Sequence, residues 1–236
     1  MEFQGRNVVI TGVGRPGQVG EAVAAAFAGR GARVLLVDRQ AAQSSARAEA
    51  LVASGRQALA FSADLSDVAA VTQLATEVRD ATGGLVHALV HVAGGFSMSG
   101  PVADSDPAEW TRLFTVNATT TYLVARAFIP LLRATRGSIV CFASEAVLPG
   151  ASAAGRAAYA ASKGAVVALV HAIAREEREH GVRANAVAPS TIRTSDNVAV
   201  LGEQDSMVSR EAVADTVCWL ASDAARAVSG QVVAVR

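Results

Sequence analysis

The stretch TGVGRPGQVG, Thr11 to Gly20, stands between an apolar run, NVVI (7–10), and an alanine-rich one. It contains G-x-G-x-x-G at Gly12, Gly14 and Gly17. A strand, a glycine loop and a helix in succession give such a loop its meaning. Glycines let the backbone approach a pyrophosphate, and the amino end of the helix offers it free N–H donors. The next apolar run, RVLLVD (33–38), ends on Asp38, 26 residues beyond Gly12. A carboxylate there accepts hydrogen bonds from both ribose hydroxyls of an adenosine and repels a 2′-phosphate.

The same alternation continues along the chain. Strands are expected at 7–10, 33–38, 58–61, 88–94 (running into a turn), 138–144, 182–189 and 231–235. Helices are expected at Val19–Ala28, Ala41–Ala53, Val68–Ala81, Pro107–Arg133 (bent before Pro130), Tyr159–His180 and Arg210–Leu220, with Gly181 as the left-handed stop after His180. The strands are continuous apolar runs, as strands buried on both faces are. About seven strands with intervening helices imply an α/β fold, a Rossmann-type, doubly wound parallel sheet in a single domain spanning 1–236. The irregular stretches 95–106, 145–157 and 190–209 follow strand ends on the carboxyl edge, where such folds bind ligands.

Composition narrows the function. Hydrophobic residues make up 51% and charged ones 18%, which argues against disorder. Lys plus Arg and Asp plus Glu are both 21, so a general electrostatic nucleic-acid binder is not expected, though a local basic patch is not excluded. Cys141 and Cys218 lie in apolar runs and read as core thiols in a reducing, cytoplasmic compartment. The start, MEFQGRNVV, is not a signal peptide. The longest apolar runs are interrupted by Gly, Arg or His, so no membrane span is expected. None of the four histidines has metal-ligand spacing. His87 and His91 alternate on one strand face and read as packing residues.

Further along, YAASK puts Tyr159 and Lys163 at i and i+4 on one helix face. Ser144 ends the preceding strand, and Asn117 sits in the long helix before it. In this order, with the TG-start loop, Asp38, ADLSD with Asp64, VAGG and NAVAPSTIRT, the chain resembles the short-chain dehydrogenase/reductase family from Asn7 to Val235. The resemblance implies an NAD(P)-dependent oxidoreductase that interconverts an alcohol and a carbonyl. Tyr159 would be the general acid/base. A free tyrosine pKa is about 10; a nearby Lys163 would favour the phenolate and also bond the nicotinamide ribose. Ser144 would orient the substrate oxygen, and Asn117 would hold a water relaying protons to Lys163. The cofactor would lie along Thr11, Gly12, Gly14, Arg15, Gly17, Gln18, Val19, Asp38, Arg39, Asp64, Leu65, Ala93, Gly94, Gly95, Pro189 and Ser190, with Ile192 and Thr194 at its carboxamide and Tyr159 and Lys163 beside it. A short substrate lid is expected around 195–209. A homotetramer is the family default and a dimer the alternative, without the glycine-rich tail that many members carry beyond this point.

The chain departs from the family pattern in places. The common loop is T-G-x-x-x-G-x-G. Aligning the following helix puts Gln18 at the second glycine and Gly20 at the third, in a loop two residues longer than usual. That length resembles the enoyl-acyl-carrier-protein reductase branch, which spaces its Tyr and Lys seven apart. Position 166 here is Val, against that branch. The family's NNAG is HVAG, so His91 stands where an Asn usually braces the sheet centre. VAGG followed by Phe96 also resembles the dihydropteridine-reductase branch. Asp38 favours NAD, while Arg15 and Arg39 make NADP the alternative. The substrate pocket would draw on 95–103, 145–156 and 192–207. Within it Glu145 faces substrate or water, and Arg156 or Arg193 meets an anionic group or solvent. The rival reading from another class is a dinucleotide-binding sensor or scaffold without turnover.

Overall fold

The computed structural model describes residues 1–236. Seven strands form one sheet: β1 (Asn7–Thr11), β2 (Arg33–Asp38), β3 (Gln57–Ser62), β4 (Ala88–His91), β5 (Ser138–Phe142), β6 (Arg183–Pro189) and β7 (Val232–Val235). Their order is β3-β2-β1-β4-β5-β6-β7, every pair parallel. In register, Val9 lies between Leu35 and Leu89. Alternate residues point to opposite faces. Val8, Ile10, Val34 and Leu36 pack under α1 (Val19–Gly29) and α8 (Arg210–Ala221). Val9, Leu35 and Val37 pack with α3 (Val68–Thr82), α5 (Thr120–Arg133) and α6 (Ala157–Glu176). Cover on both faces is why the central strands are unbroken apolar runs. The remaining helices are α2 (Ala41–Ala53), α4 (Pro107–Phe114) and α7 (Ser195–Leu201).

Three local features differ from the sequence reading. The long helix is interrupted at a π-turn, Thr115–Thr119, and not before Pro130, which sits inside α5. Such turns recur at functional sites, and this one contains the buried Asn117. The helix expected from Tyr159 to His180 starts two residues earlier and ends at Glu176. Residues 190–209, read as irregular, contain α7, whose amino end is capped by the Thr194 hydroxyl accepting from the Asn197 N–H at 3.2 Å. In addition, α6 is long and apolar enough by composition to cross a membrane. Here it packs on β5 and β6.

The order reverses beside β1, between β2 and β4, and this opens a crevice at the carboxyl ends of β1 and β4. The two strand ends meet closely there. A Cβ on Gly12 (φ +72°) would fall 2.6 Å from the Ala93 backbone.

His91, which ends β4, ties this meeting point together. It is 2% exposed. Its Nδ1 is 2.8 Å from the Thr11 hydroxyl and its Nε2 is 3.2 Å from that of Thr120. Thr120 donates its own proton to the Val116 carbonyl, so Nε2 carries the imidazole hydrogen and Nδ1 accepts from Thr11. The ring thus joins β1, β4 and the start of α5. Burial first, and the Lys163 charge second, push its pKa from 6.5 down to about 3. Between those values the unfolded chain binds a proton that the folded one does not. Stability is therefore intact above pH 6.5 and falls as the pH drops toward 3, by about 1.4 kcal/mol per pH unit from this group. Urea unfolding of the wild type and of His91→Asn at a series of pH values should show that extra slope only in the wild type. Parallel slopes would mean that the imidazole is solvated.

Candidate active site

The tetrad residues expected from the sequence converge at the carboxyl edge. Tyr159 and Lys163 lie one turn apart near the start of α6. Lys163 is the chain's single lysine. It is 6% exposed, and its ammonium donates to the Phe142 carbonyl at the end of β5 at 2.7 Å. Burial pushes its pKa down to about 8. The Cys141 thiol next to Phe142 is pushed up to about 12 by burial. Ser144 leaves β5 and caps the turn at Glu145–Val147 by accepting from the Ala146 N–H at 3.2 Å. Burial raises the Tyr159 phenol above its usual pKa, while the Ser144 hydroxyl and then the Arg156 charge pull it down. Lys163 is not among the charges acting on Tyr159. In this geometry its ammonium faces the end of β5.

Asn117 is 1% exposed and fully engaged. Its amide donates to the Gly95 carbonyl and to the Ser162 hydroxyl, both at 3.0 Å, and its Oδ1 accepts from the Gly95 N–H at 2.9 Å. Both amide hydrogens go to protein, so a lone pair of Oδ1 is what the side chain retains for a water. Ser162 in turn donates to the Tyr159 carbonyl at 2.8 Å. Ser162 was not among the residues expected from the sequence, since a serine inside an apolar helix carries no local mark of its partner. A Cβ on Gly94 would fall 2.7 Å from Asn117 Oδ1 and 3.2 Å from Lys163 Nζ. Phe96 meets the Tyr159 ring edge-on at 4.9 Å and is half exposed at the mouth of the site.

The glycine loop lies at the other end of the crevice. The Gly12 N–H donates to the Val37 carbonyl at 2.8 Å. Gly14 and Gly17 have φ of +63° and +79°. A Cβ on Gly20 would fall 2.2 Å from the Gly12 carbonyl oxygen. Gly20 is thus the close-packing glycine, in the register that aligns Gln18 and Gly20 with the family loop. No side chain caps the amino end of α1 at Gln18. Its free N–H groups are the donors an anion would meet. Asp38 accepts from the Gly14 N–H at 2.9 Å and the Gln40 N–H at 3.1 Å, so it also anchors the loop.

The extra loop length reaches α7. The Ser195 N–H donates to the Gly17 carbonyl at 3.0 Å, and Arg15 pairs with Asp196 at 2.5 Å. Arg15 therefore turns toward α7, while Arg39 is exposed beside Asp64. Asp64 accepts from the N–H and hydroxyl of Ser66 at 2.9 and 2.6 Å, with Leu65 buried between them. Pro189 ends β6, and the Ser190 hydroxyl beyond it is buried with no partner. Thr194 is buried and caps α7, and Ile192 bridges to Val208. Arg156 donates to the Ser152 carbonyl, and Arg193 pairs with Glu203 at 3.1 Å. No group of three His, Cys, Asp or Glu is placed to hold a metal ion.

An uncapped helix end, glycines where the backbone must come close, and an orphaned buried hydroxyl at Ser190 fit a dinucleotide. The comparisons with known proteins agree. The family model described as Enoyl-(Acyl carrier protein) reductase matches residues 12–236. The chain belongs to the short-chain dehydrogenase/reductase family, and it is an oxidoreductase of the alcohol–carbonyl kind. It is 34% identical to 2-(S)-hydroxypropyl-CoM dehydrogenase 3 of Xanthobacter autotrophicus, over 98% of this chain and 95% of that protein. It is 33% identical to galactitol 2-dehydrogenase of Rhizobium johnstonii, over 99% and 94%. A short-chain type dehydrogenase/reductase from Mycobacterium ulcerans superposes with a TM-score of 0.90 at 28% identity, covering 100% of this chain and 90% of that one.

A single lysine makes its ionisation directly observable. In protein labelled with nitrogen-15 at lysine side chains, one Nζ signal should titrate with a midpoint of about 8. A midpoint near the ordinary 10.5 would mean that water reaches the ammonium.

Proposed function

We propose that this protein interconverts a small secondary alcohol and its ketone, with Tyr159 as general acid/base and NAD as cofactor. The observation that carries the proposal is the grouping of Tyr159, Ser144 and Lys163 at the crevice, beside a glycine loop and an uncapped helix end. The glycine loop, the amino end of α1 and Asp38 would hold the dinucleotide, whose nicotinamide would supply the hydride chemistry. Tyr159 Oη holds the proton that leaves or reaches the substrate oxygen. Ser144 Oγ donates to that oxygen and fixes its direction toward the phenol. The raised phenol pKa favours protonated tyrosine, the form that donates during ketone reduction. In the reverse direction the Ser144 hydroxyl, and after it the Arg156 charge, favour the phenolate. Asn117 positions Gly95 and Ser162, and through Ser162 the turn that carries Tyr159. Phe96 shields the reacting oxygen from water.

The preference for NAD rests on Asp38, the carboxylate at the end of β2. The Arg15–Asp196 pair supports it too, since that pair withdraws one of the two arginines that would meet a 2′-phosphate. Residues 195–209, with α7, would serve as the substrate lid. The secondary alcohol is suggested by relatives named for 2-(S)-hydroxypropyl-CoM, galactitol at carbon 2 and meso-2,3-butanediol. We place the protein in the cytoplasm as a homo-oligomer, tetramer or dimer. Its free, buried thiols and the small-residue face of α5 and α6 around the half-exposed Tyr122 support this.

Tyr159→Phe removes one oxygen and keeps the ring. It should lower kcat by about a hundredfold or more, the usual worth of a positioned acid/base, while the NADH dissociation constant, read by calorimetry, stays within about threefold (roughly 0.7 kcal/mol). Retained turnover would sink the mechanism, and a sensor without turnover would show NADH binding with no activity in the wild type. Asp38→Ala should move the ratio of NADPH to NADH affinity toward NADPH by about tenfold, the scale of one charged interaction. An unchanged ratio would mean that Asp38 only anchors Gly14.

A further inference from the structure

We propose that the edge of the sheet opposite the catalytic crevice carries a second binding site, one for a polyphosphate anion. At the amino ends of the strands lies a cleft of about 1170 Å³. Six of the chain's twenty arginines line it: Arg6, Arg136, Arg175, Arg178, Arg183 and Arg226. Asp223 is the one carboxylate among the lining residues, which also include His87 and His171. Counting the histidines as neutral, the lining carries +6 − 1 = +5, in a protein whose formal net charge is zero.

The arginines divide by what they touch. Arg6 is bound in fork fashion to Asp223, and Arg183 donates to the carbonyls of Leu220, Val228 and Ser222. These two are framework. Arg136, Arg175, Arg178 and Arg226 make no ion pair and no side-chain hydrogen bond, and all four are exposed. They come from separate segments: the turn between α5 and β5, the end of α6 and the turn after it, and the turn after α8. Arg136 is the one non-glycine residue with positive φ, at +52°. Its stem lies against Gly181, where an added Cβ would meet the stem carbons at 3.2 to 3.3 Å.

Two ordinary explanations fall short. In a doubly wound sheet the carboxyl ends of the helices gather at this edge, and each offers about −0.5 of a charge to a cation. Three such ends, those of α5, α6 and α8, balance less than a third of the excess. Solvated arginines on one helix face would point outward along that helix, whereas these converge from several segments on one concavity. Guanidinium groups stay charged and grip phosphate oxygens in pairs. Four unpartnered ones around a bounded cleft match a short chain of phosphates better than a single carboxylate.

The probe is inorganic tripolyphosphate, titrated calorimetrically at low salt into the full-length protein, with and without saturating NADH. Saturable binding with one site per chain is expected in both conditions, since NADH occupies the other edge. Arg175→Glu/Arg178→Glu, exposed on the rim and remote from Tyr159, should weaken it by at least about tenfold, as removal of charged contacts does. Its dehydrogenase activity should be unchanged, which also shows that it folds. The control Arg79→Glu, on α3, should bind as the wild type does. The proposal is overturned by absence of saturable binding, by competition with NADH, or by equal weakening in the control. Preference for a random double-stranded oligonucleotide over tripolyphosphate would overturn it too. Failure of NADH itself to bind would count against the dehydrogenase reading and leave the comparison of variants intact.

Discussion

The ends of β1 and β4 meet with no room for a side chain, and the arrangement of the crevice follows from that contact. Gly12 faces the Ala93 backbone, and Gly20 comes up beneath the Gly12 carbonyl. These approaches aim the free end of α1 along the crevice. On the β4 side, His91 bonds Thr11 and Thr120, and four residues later the chain is close enough for Asn117 to hold Gly95 from both sides. The π-turn gives α5 the offset that turns Asn117 inward while leaving Thr120 facing His91.

Burial governs the chemistry of this edge. It lowers the pKa of the Lys163 ammonium and of His91, and it raises those of Tyr159 and Cys141. Each shift favours the neutral form, because a buried charge is costly without a partner. Lys163 stays the cation of the group through its bond to the Phe142 carbonyl. A neutral His91 spares it a like charge. A lysine suits the position because its ammonium is compact and its pKa responds to burial. The guanidiniums used everywhere else in this chain would not respond in that way.

The two edges of the sheet handle anions by different means. At the carboxyl edge, helix amino ends and glycine N–H groups offer partial positive charge with few cationic side chains. At the amino edge, helix carboxyl ends present partial negative charge, and arginines have to reverse it. A parallel sheet with helices on both faces sorts these dipoles automatically. The same chain can therefore hold two anions at opposite ends of its strands, with salt screening the one from the other.

The fold could be read along the chain. Continuous apolar runs such as RVLLVD and SIVCF mark strands covered on both faces, and their alternation with helices leaves a doubly wound sheet as the natural outcome. The register Gln18–Gly20 and the grouping of Asn117, Ser144, Tyr159 and Lys163 were legible through the resemblance that the ordered motifs carry; spacing alone placed only Tyr159 and Lys163 on one helix face. What tertiary structure alone decided are the partners. Nothing in the sequence says that Asn117 spends its amide hydrogens on Gly95 and Ser162. Nor does it say that Arg15 turns to Asp196, or that His91 bridges two threonines far apart in the chain. Hydrogen bonds between distant segments depend on how those segments pack, and single-residue propensities carry no record of that. The same holds for the arginine cleft. Its members are scattered from Arg6 to Arg226, so a balanced net charge concealed a concentration that only the folded arrangement creates.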